Sequence, residues 1–377
     1  MSSREDFRER LAAVPTDDDA VRRRLREKGL PAELPGETRE ARRLRLAEAG
    51  PEVEADVEPE EPAKDWDEAA SPQLVGARRR IAETARNPQS SNVELEKLDL
   101  YASQAGFARP VAAVRLFGDR LCVGDYAGTL SVLDTAQDLA VAASAQGTGR
   151  VGDIAAHADF VASGDLANVN LYSWDLRHSG ALKGHGSAVT ALDIHHTGDY
   201  IVSSGDSTWR LWDRQTLDSL LVQDGHTGEV NCAKISADGC MVGTAGADHD
   251  VRVWDLRNGL PVTTLKNHPC AVRTLAWDPN SSWTLASAGD DNRCLVWDLR
   301  QAARPLHTLY AHTSTVTGTV FAGGTLITSS LDETVKLWRD GELRRVHRTG
   351  CRMLCVDAGR QIAAGRWDRQ VDLYAQF

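Results

Sequence analysis

Residues 225–255 read GHTGEVNCAKISADGCMVGTAGADHDVRVWD, and four side chains in that stretch decide the fold. His226, Thr244, Asp248 and Trp254 recur as His268, Ser287, Asp291 and Trp297, then again as His312, Thr328, Asp332 and Trp338. In each set the aspartate stands six residues before the tryptophan. An earlier copy, His185…Asp206…Trp212, shares that spacing, and His347…Asp368…Tyr374 keeps it with tyrosine in the last place. Two degenerate copies come first: one ends at Trp174-Asp175, the other at Leu133-Asp134, where Ala127 stands at the aspartate position. The tryptophan-equivalent positions 133, 174, 212, 254, 297, 338 and 374 are 36 to 43 residues apart, a period that marks a repeat architecture.

Each unit reads as short strands. Ala188–Ile194 alternates apolar and polar residues, Tyr200–Ser204 and Trp209–Trp212 are β-prone, and Thr197-Gly198-Asp199 and Gly205-Asp206-Ser207 punctuate them. Seven four-stranded units closed in a ring leave only short, protected edges. With Tyr374 only three residues from Phe377, the last unit lacks an outer strand, and Tyr101–Ala108 is expected to supply it. The units resemble the WD-repeat family, with Gly-His at 184–185 and 225–226 and Trp-Asp at 174, 212, 254 and 297. The expected fold is an all-β, seven-bladed WD-repeat β-propeller preceded by a small α-helical N-terminal motif and a linker. Its divisions are a helical motif over 1–50, an acidic linker over 51–70, a helical connector over 71–97 and the propeller over 98–377.

A repeated Ser/Thr, His and Asp set invites a catalytic reading, but a nucleophile site occurs once, not once per repeat. In WD repeats such sets form a buried hydrogen-bond network whose members satisfy one another. No His-x-x-x-His helix pair or phosphate-cradling Gly-x-x-x-x-Gly-Lys occurs. No enzyme activity, cofactor or metal is expected. The seven cysteines include no Cys-x-x-Cys pair, and Cys351 and Cys355 sit four apart in what reads as a strand, too far for a disulfide. Reduced, mostly buried thiols are expected.

The 377 residues carry a formal net charge of −11, with 42% hydrophobic and 26% charged residues. That balance suits a globular protein and argues against one that coats nucleic acid non-specifically. No apolar run reaches the ~18 residues of a membrane helix, and the N-terminus lacks a signal core, so a cytosolic or nuclear protein without membrane contact is expected.

Charge is unevenly distributed. Thr16 caps an expected helix that opens with Asp17-Asp18-Asp19, carries Arg22, Arg23, Arg24, Arg26 and Lys28, and stops at Gly29. A second helix from about Glu37 to Ala49 carries Arg39, Arg42, Arg43 and Arg45. Residues 51–70 hold nine acidic residues against Lys64 alone, three prolines and Trp66, which reads equally as a docking anchor or a loose aromatic. Ser71-Pro72 opens a helix to about Arg86, with Arg78, Arg79 and Arg80 in its middle.

Val21-x-x-x-Leu25-Arg26-x-x-Gly29-x-Pro31, Leu34-x-Gly36-Glu37 and Arg42-Arg43-x-Arg45-Leu46 resemble the splicing-factor motif, with Pro35 where that family has an aromatic. Ser103-Gln104-x-Gly106-x-x-Arg109-Pro110 resembles the propeller entry of the WD-repeat family of the U4/U6 small nuclear ribonucleoprotein, although Phe107-Ala108 replaces its acidic pair. That resemblance implies a non-enzymatic nuclear scaffold in pre-mRNA splicing. Its partners would be a protein like pre-mRNA processing factor three, U4/U6 small nuclear RNA and other tri-snRNP proteins. The twelve basic residues named above then become candidate RNA or partner contacts, against the plainer reading of solvated helix faces. A rival reading, a substrate receptor of a cullin-type ubiquitin ligase, rests on Trp-Asp-Leu-Arg at 174–177, 254–257 and 297–300. A G-protein β-like subunit would want a long N-terminal coiled coil, which Pro15, Pro31, Pro35 and Pro51 break.

On the ring, Tyr126 and Trp367 stand just before the aspartate position of blades one and seven. The corresponding residues elsewhere are Gly205, Ala247, Asp290 and Leu331. Arg273 and Arg352 each lie five residues after a blade histidine. Aromatics beside arginines are typical interface anchors, so these four form a candidate face patch. The competing reading has Trp367 filling the seam between blades seven and one.

Overall fold

The computed structural model describes residues 71–85, 99–147, 149–359 and 361–375. The N-terminal motif, the acidic linker and Trp66 lie outside the described residues, as do the end of the expected connector and the basic residues from Arg22 to Arg45.

The described chain opens with helix α1 (Pro72–Glu83). Ser71 caps it through a hydrogen bond from the Leu74 N–H to its hydroxyl, and proline takes the first helical position, where no N–H is needed. The helix stops at Glu83, three residues before the expected end. Twenty-eight strands, numbered β1 to β28 in chain order, then form seven four-stranded sheets. The pairs are antiparallel, and one break in register recurs between the first and second strands of most sheets. First strands of neighbouring sheets touch one another, so β2 (Val111–Phe117), β6 (Ile154–Ala156), β10 (Ala191–Ile194), β14 (Val230–Ile235), β18 (Val272–Trp277), β22 (Val316–Ala322) and β26 (Met353–Ala358) surround a central channel.

Closure follows the expected route. β1 (Asp99–Ala105) pairs antiparallel with β28 (Gln370–Ala375), completing the seventh sheet with a strand from the other end of the chain. The Ser103 hydroxyl donates to Asp372 Oδ1 at 2.7 Å and pins that register. Part of the Ser103–Pro110 motif is therefore ring-closing structure. Apolar clusters lie between adjacent sheets, with Trp209, Trp212 and Trp297 almost fully buried.

Two expectations need correction. The connector is not separable from the ring, because Leu74, Ala77 and Ile81 are buried in one cluster with Tyr200, Trp209, Leu220 and Leu256 of blades three and four. A proteolytic core should therefore begin near residue 71. Cys351 lies in a bend before β26 and not in a strand, and it is only partly buried. All seven thiols are free, with Cys122, Cys232, Cys240 and Cys294 buried as expected.

Candidate interaction face and channel

Three blades carry the complete polar set. In blade four, His226 Nδ1 stands 2.9 Å from Asp248, its Nε2 stands 2.9 Å from the Thr244 hydroxyl, and Trp254 Nε1 donates to the same hydroxyl at 2.9 Å. Burial holds His226 below its ordinary value, so the ring is neutral. A carboxylate can only accept, so the ring proton sits on Nδ1 and the Thr244 O–H donates to Nε2. Burial pushes Asp248 up, but hydrogen bonds from His226 and from N–H groups of the turn pull it below the usual carboxylate range. Blade five repeats the arrangement with His268, Ser287, Asp291 and Trp297, and blade six with His312, Thr328, Asp332 and Trp338. These groups are buried and mutually saturated, with no room for a reacting substrate. They tie the turn before each first strand to the sheet that follows.

The other copies depart from the pattern for readable reasons. In blade three, Asp206 immediately follows Gly205, whereas Ala247 separates Gly246 from Asp248. That turn is one residue shorter, so Asp206 falls at φ 56, the left-handed place that His249 takes at φ 71 in blade four. Its carboxylate caps the Gly186 N–H at 2.9 Å, and no hydrogen-bond partner faces His185 Nδ1. Buried beside Arg210, His185 is pushed down to about 4. Blade three therefore has no residue equivalent to Ala247, and Gly205 matches Gly246 instead. In blade two the register Val161↔Tyr172 matches Ile201↔Trp212, so Tyr172 and not Trp174 is the tryptophan equivalent. Trp174 lies two residues further on and donates to the carbonyls of His157 and Ala158. In blade seven Ala364 replaces the hydroxyl, Asp368 pairs with Arg366 at 2.7 Å, and His347 packs edge-on against Tyr374.

The channel encloses a cavity of about 730 Å³. On its wall, Arg115, Asp193, Lys234 and Asp357 occupy the same rung of β2, β10, β14 and β26. Asp193 accepts the Ile235 N–H and Asp357 the Leu116 N–H, each from the neighbouring blade. Asp153 accepts the Leu192 N–H and meets Lys234 Nζ at 3.2 Å. Arg115 donates to the Ile154 carbonyl and lies 3.5 Å from Asp357. Burial pushes Asp357 up against the pull of Arg115. Burial alone would lower Arg115, yet Asp357, Asp153 and Asp193 more than offset that and raise it. This charged belt went unread in the sequence, although a charged residue flanked by apolar ones at that rung (Leu192-Asp193-Ile194, Ala233-Lys234-Ile235) was its signal.

Tyr126, Trp367 and Arg273 of the expected patch all line the channel, and so does Arg150, an unforeseen member. Trp367 is 52% exposed, more than a side chain that fills the seam would be. Its N–H donates to the Arg352 carbonyl at 3.0 Å, fixing the aromatic beside that loop. Arg150 lies over the Tyr126 ring at 5.6 Å, a cation–π contact. Arg273 is held by Asp290 at 2.8 Å, so its charge is largely neutralised within blade five. Arg352 is displaced from the expected rung. The matched pairs Met353↔Arg366 and Val272↔Gly289 make Leu354 the equivalent of Arg273, and Arg352 lies exposed in the loop before it.

The α1 arginines face three ways. Arg78 is turned into the protein at 6% exposure and packs over Gly259, which removes it from the candidate RNA or partner contacts. Arg80 reaches Asp213 at 3.9 Å and lies over Tyr200, while Arg79 pairs with Glu83 on the exposed side. In the Trp-Asp-Leu-Arg segments, Arg257 and Arg300 fold back onto Asp255 and Asp298 at 2.7 Å each. Among the described residues no cluster of His, Cys, Asp and Glu suits a metal, and no helix is long and apolar enough to cross a membrane.

The WD domain, G-beta repeat matches residues 176–213, 217–255, 259–298 and 303–339. The chain is similar to the DENN domain and WD repeat-containing protein SCD1 of Arabidopsis thaliana, at 32% identity over 50% of this chain and 16% of that protein. It is 26% identical to the anaphase-promoting complex subunit cdc20 of Dictyostelium discoideum over 59% of this chain and 47% of the relative. Pre-mRNA-processing factor 19 of Bos taurus is 35% identical over 26% of this chain and 20% of its own length. The chain thus spans less than half the length of these relatives. Repeat matches and sheet order lead to one conclusion: residues 99–375 form a seven-bladed β-propeller of WD40 repeats.

Proposed function

We propose that this protein is a non-enzymatic interaction scaffold that presents the channel mouth of its propeller to a protein partner. The observation that carries this reading is the half-exposed Trp367, its backbone N–H bonded to the Arg352 carbonyl, on a channel wall that Tyr126 and Arg150 also line. A large aromatic left in water on a rigid platform, with arginines beside it, has the composition of a binding hot spot.

Within that class, the finer reading is a nuclear scaffold of the U4/U6 small nuclear ribonucleoprotein and the tri-snRNP. There it would hold a protein like pre-mRNA processing factor three beside U4/U6 RNA. Its support is the order of sequence features: splicing-factor-like motif, acidic stretch, α1 and ring, with the Ser103–Pro110 signature at the ring's entry. Arg22–Lys28 and Arg39–Arg45 remain its candidate RNA or partner contacts, joined by Arg79 and the half-exposed Arg80. The test is co-purification with the full chain at physiological salt. U4 and U6 RNA in the eluate, lost when Arg42, Arg43 and Arg45 are replaced by Glu, supports the splicing reading. A cullin adaptor without small nuclear RNA overturns it in favour of a ligase receptor.

A further inference from the structure

We propose that the outer strand of blade one is a docking edge for an extended peptide segment of a partner protein. The segment adds to the blade as a further antiparallel strand, alternates β-branched with polar residues, and carries lysine or arginine at its C-terminal end. β5 (Ala140–Gln146) reads AVAASAQ and is the last strand of its sheet, paired with β4 (Thr129–Asp134). Among the described residues no strand lies beyond it. Half of an edge strand's N–H and C=O groups point away from its sheet, and they template another strand unless something blocks them.

The other outer strands carry such a block. β25 (Glu342–Arg348) holds one glutamate and three arginines, β17 (Pro261–Lys266) opens on proline and closes on lysine, and β9 (His178–Lys183) ends on lysine. β21 (His307–Leu309) is only three residues long, and β1 opens on Asp99. β13 (Ser219–Gln223) is uncharged, but α1 packs against its Leu220. β5 combines seven residues, no charge and no proline, and Ala140, Val141, Ala142, Ser144 and Gln146 are exposed.

The partner's chemistry follows from what the edge lacks and what flanks it. Pairing with Leu130 and Val132 puts Ala145 and Ala143 on the side facing blade two, packed against a cluster that includes Tyr172 and Leu176. Two alanines leave room beside them, so the added strand brings the bulk, best as valine, isoleucine or threonine. Three aspartates mark the end where β5 begins. Asp119 is joined to Thr135 through its carbonyl, Asp134 lies across from Arg120, and Asp138 precedes the strand at φ 49. The Arg120 guanidinium is turned onto the Trp174 ring at 5.0 Å. An antiparallel strand finishes at that end, so its basic residues meet the aspartates.

The probe is fluorescein-labelled Thr-Val-Thr-Val-Thr-Val-Lys-Lys, titrated into the full chain by fluorescence anisotropy. Replacing the exposed Ala142 and Ser144 with lysine gives β5 the block that other blades carry, and should weaken binding at least about 10-fold. A probe with proline for its second and third valines keeps the charge but loses backbone donors. It should also bind at least about 10-fold more weakly, and this reading needs no variant to fold. Equal binding by wild type and lysine variant, equal binding of the proline probe, or no binding to the wild type at about 1 mM overturns the proposal. A probe ending in two glutamates that binds as tightly as the lysine form would overturn the assigned partner chemistry. Sedimentation of the full chain by itself as a dimer, abolished in the lysine variant, would give the edge to a second copy and equally overturn it.

Discussion

Replacing Thr244 with valine keeps the shape of a fully buried side chain and removes one hydroxyl. That oxygen serves two partners, accepting from Trp254 Nε1 and donating to His226 Nε2, each at 2.9 Å. Both partners are left buried and unmatched, at about 1–3 kcal/mol each. The added methyl returns about 1 kcal/mol of apolar burial. The net expected loss is about 1–5 kcal/mol, read from urea unfolding of the full chain with an unchanged denaturant slope. Blade seven gives an internal comparison, since Ala364 already stands at this position and Tyr374 replaces the tryptophan. A loss under about 0.5 kcal/mol, the range of an ordinary surface substitution, would refute the view that the polar set holds the blade together.

Two further outcomes follow from buried charge and geometry. His185 has a folded value of about 4 against 6.5 when unfolded, so the unfolded state binds the extra proton first. Stability should therefore fall as pH drops from about 6.5 to about 4. Inserting alanine between Gly205 and Asp206, which copies the turn at Gly246-Ala247-Asp248, should flatten that slope by giving His185 Nδ1 an acceptor. An unchanged urea-midpoint profile would contradict it. In the channel, Arg115→Met leaves Asp357 buried without its cation and should cost about 3–5 kcal/mol. Adding Asp357→Asn should recover most of the loss, since the amide oxygen still accepts the Leu116 N–H; equal unfolding midpoints for single and double variants would count against the pair.

Legibility in the sequence tracked local regularity. Blades four to six were readable because their His, Asp and Trp keep a fixed spacing, and the closing strand because the last unit was one strand short. The same spacing misled in blade three, where Asp206 sits the right distance from Trp212 but in a turn one residue shorter. Trp174 looked like the blade-two tryptophan because it precedes an aspartate; only strand pairing shows Tyr172 in that place. Counting from His347 misplaced Arg352, since His347 lies within β25 at the register of Leu265 rather than of His268. The docking of α1 was hidden because three consecutive arginines suggest an exposed helix, while the contact depends on residues more than a hundred positions away.

The most direct test of the central claim compares the intact chain with a Trp367→Ala, Arg352→Ala variant in quantitative affinity purification, alongside their melting temperatures. The mouth should lose its principal protein partner, with binding weakened by about 2 kcal/mol or more while the melting temperature stays within a degree or so. Retention of that partner at wild-type strength by the folded variant would contradict the assignment of the channel mouth as the interaction face.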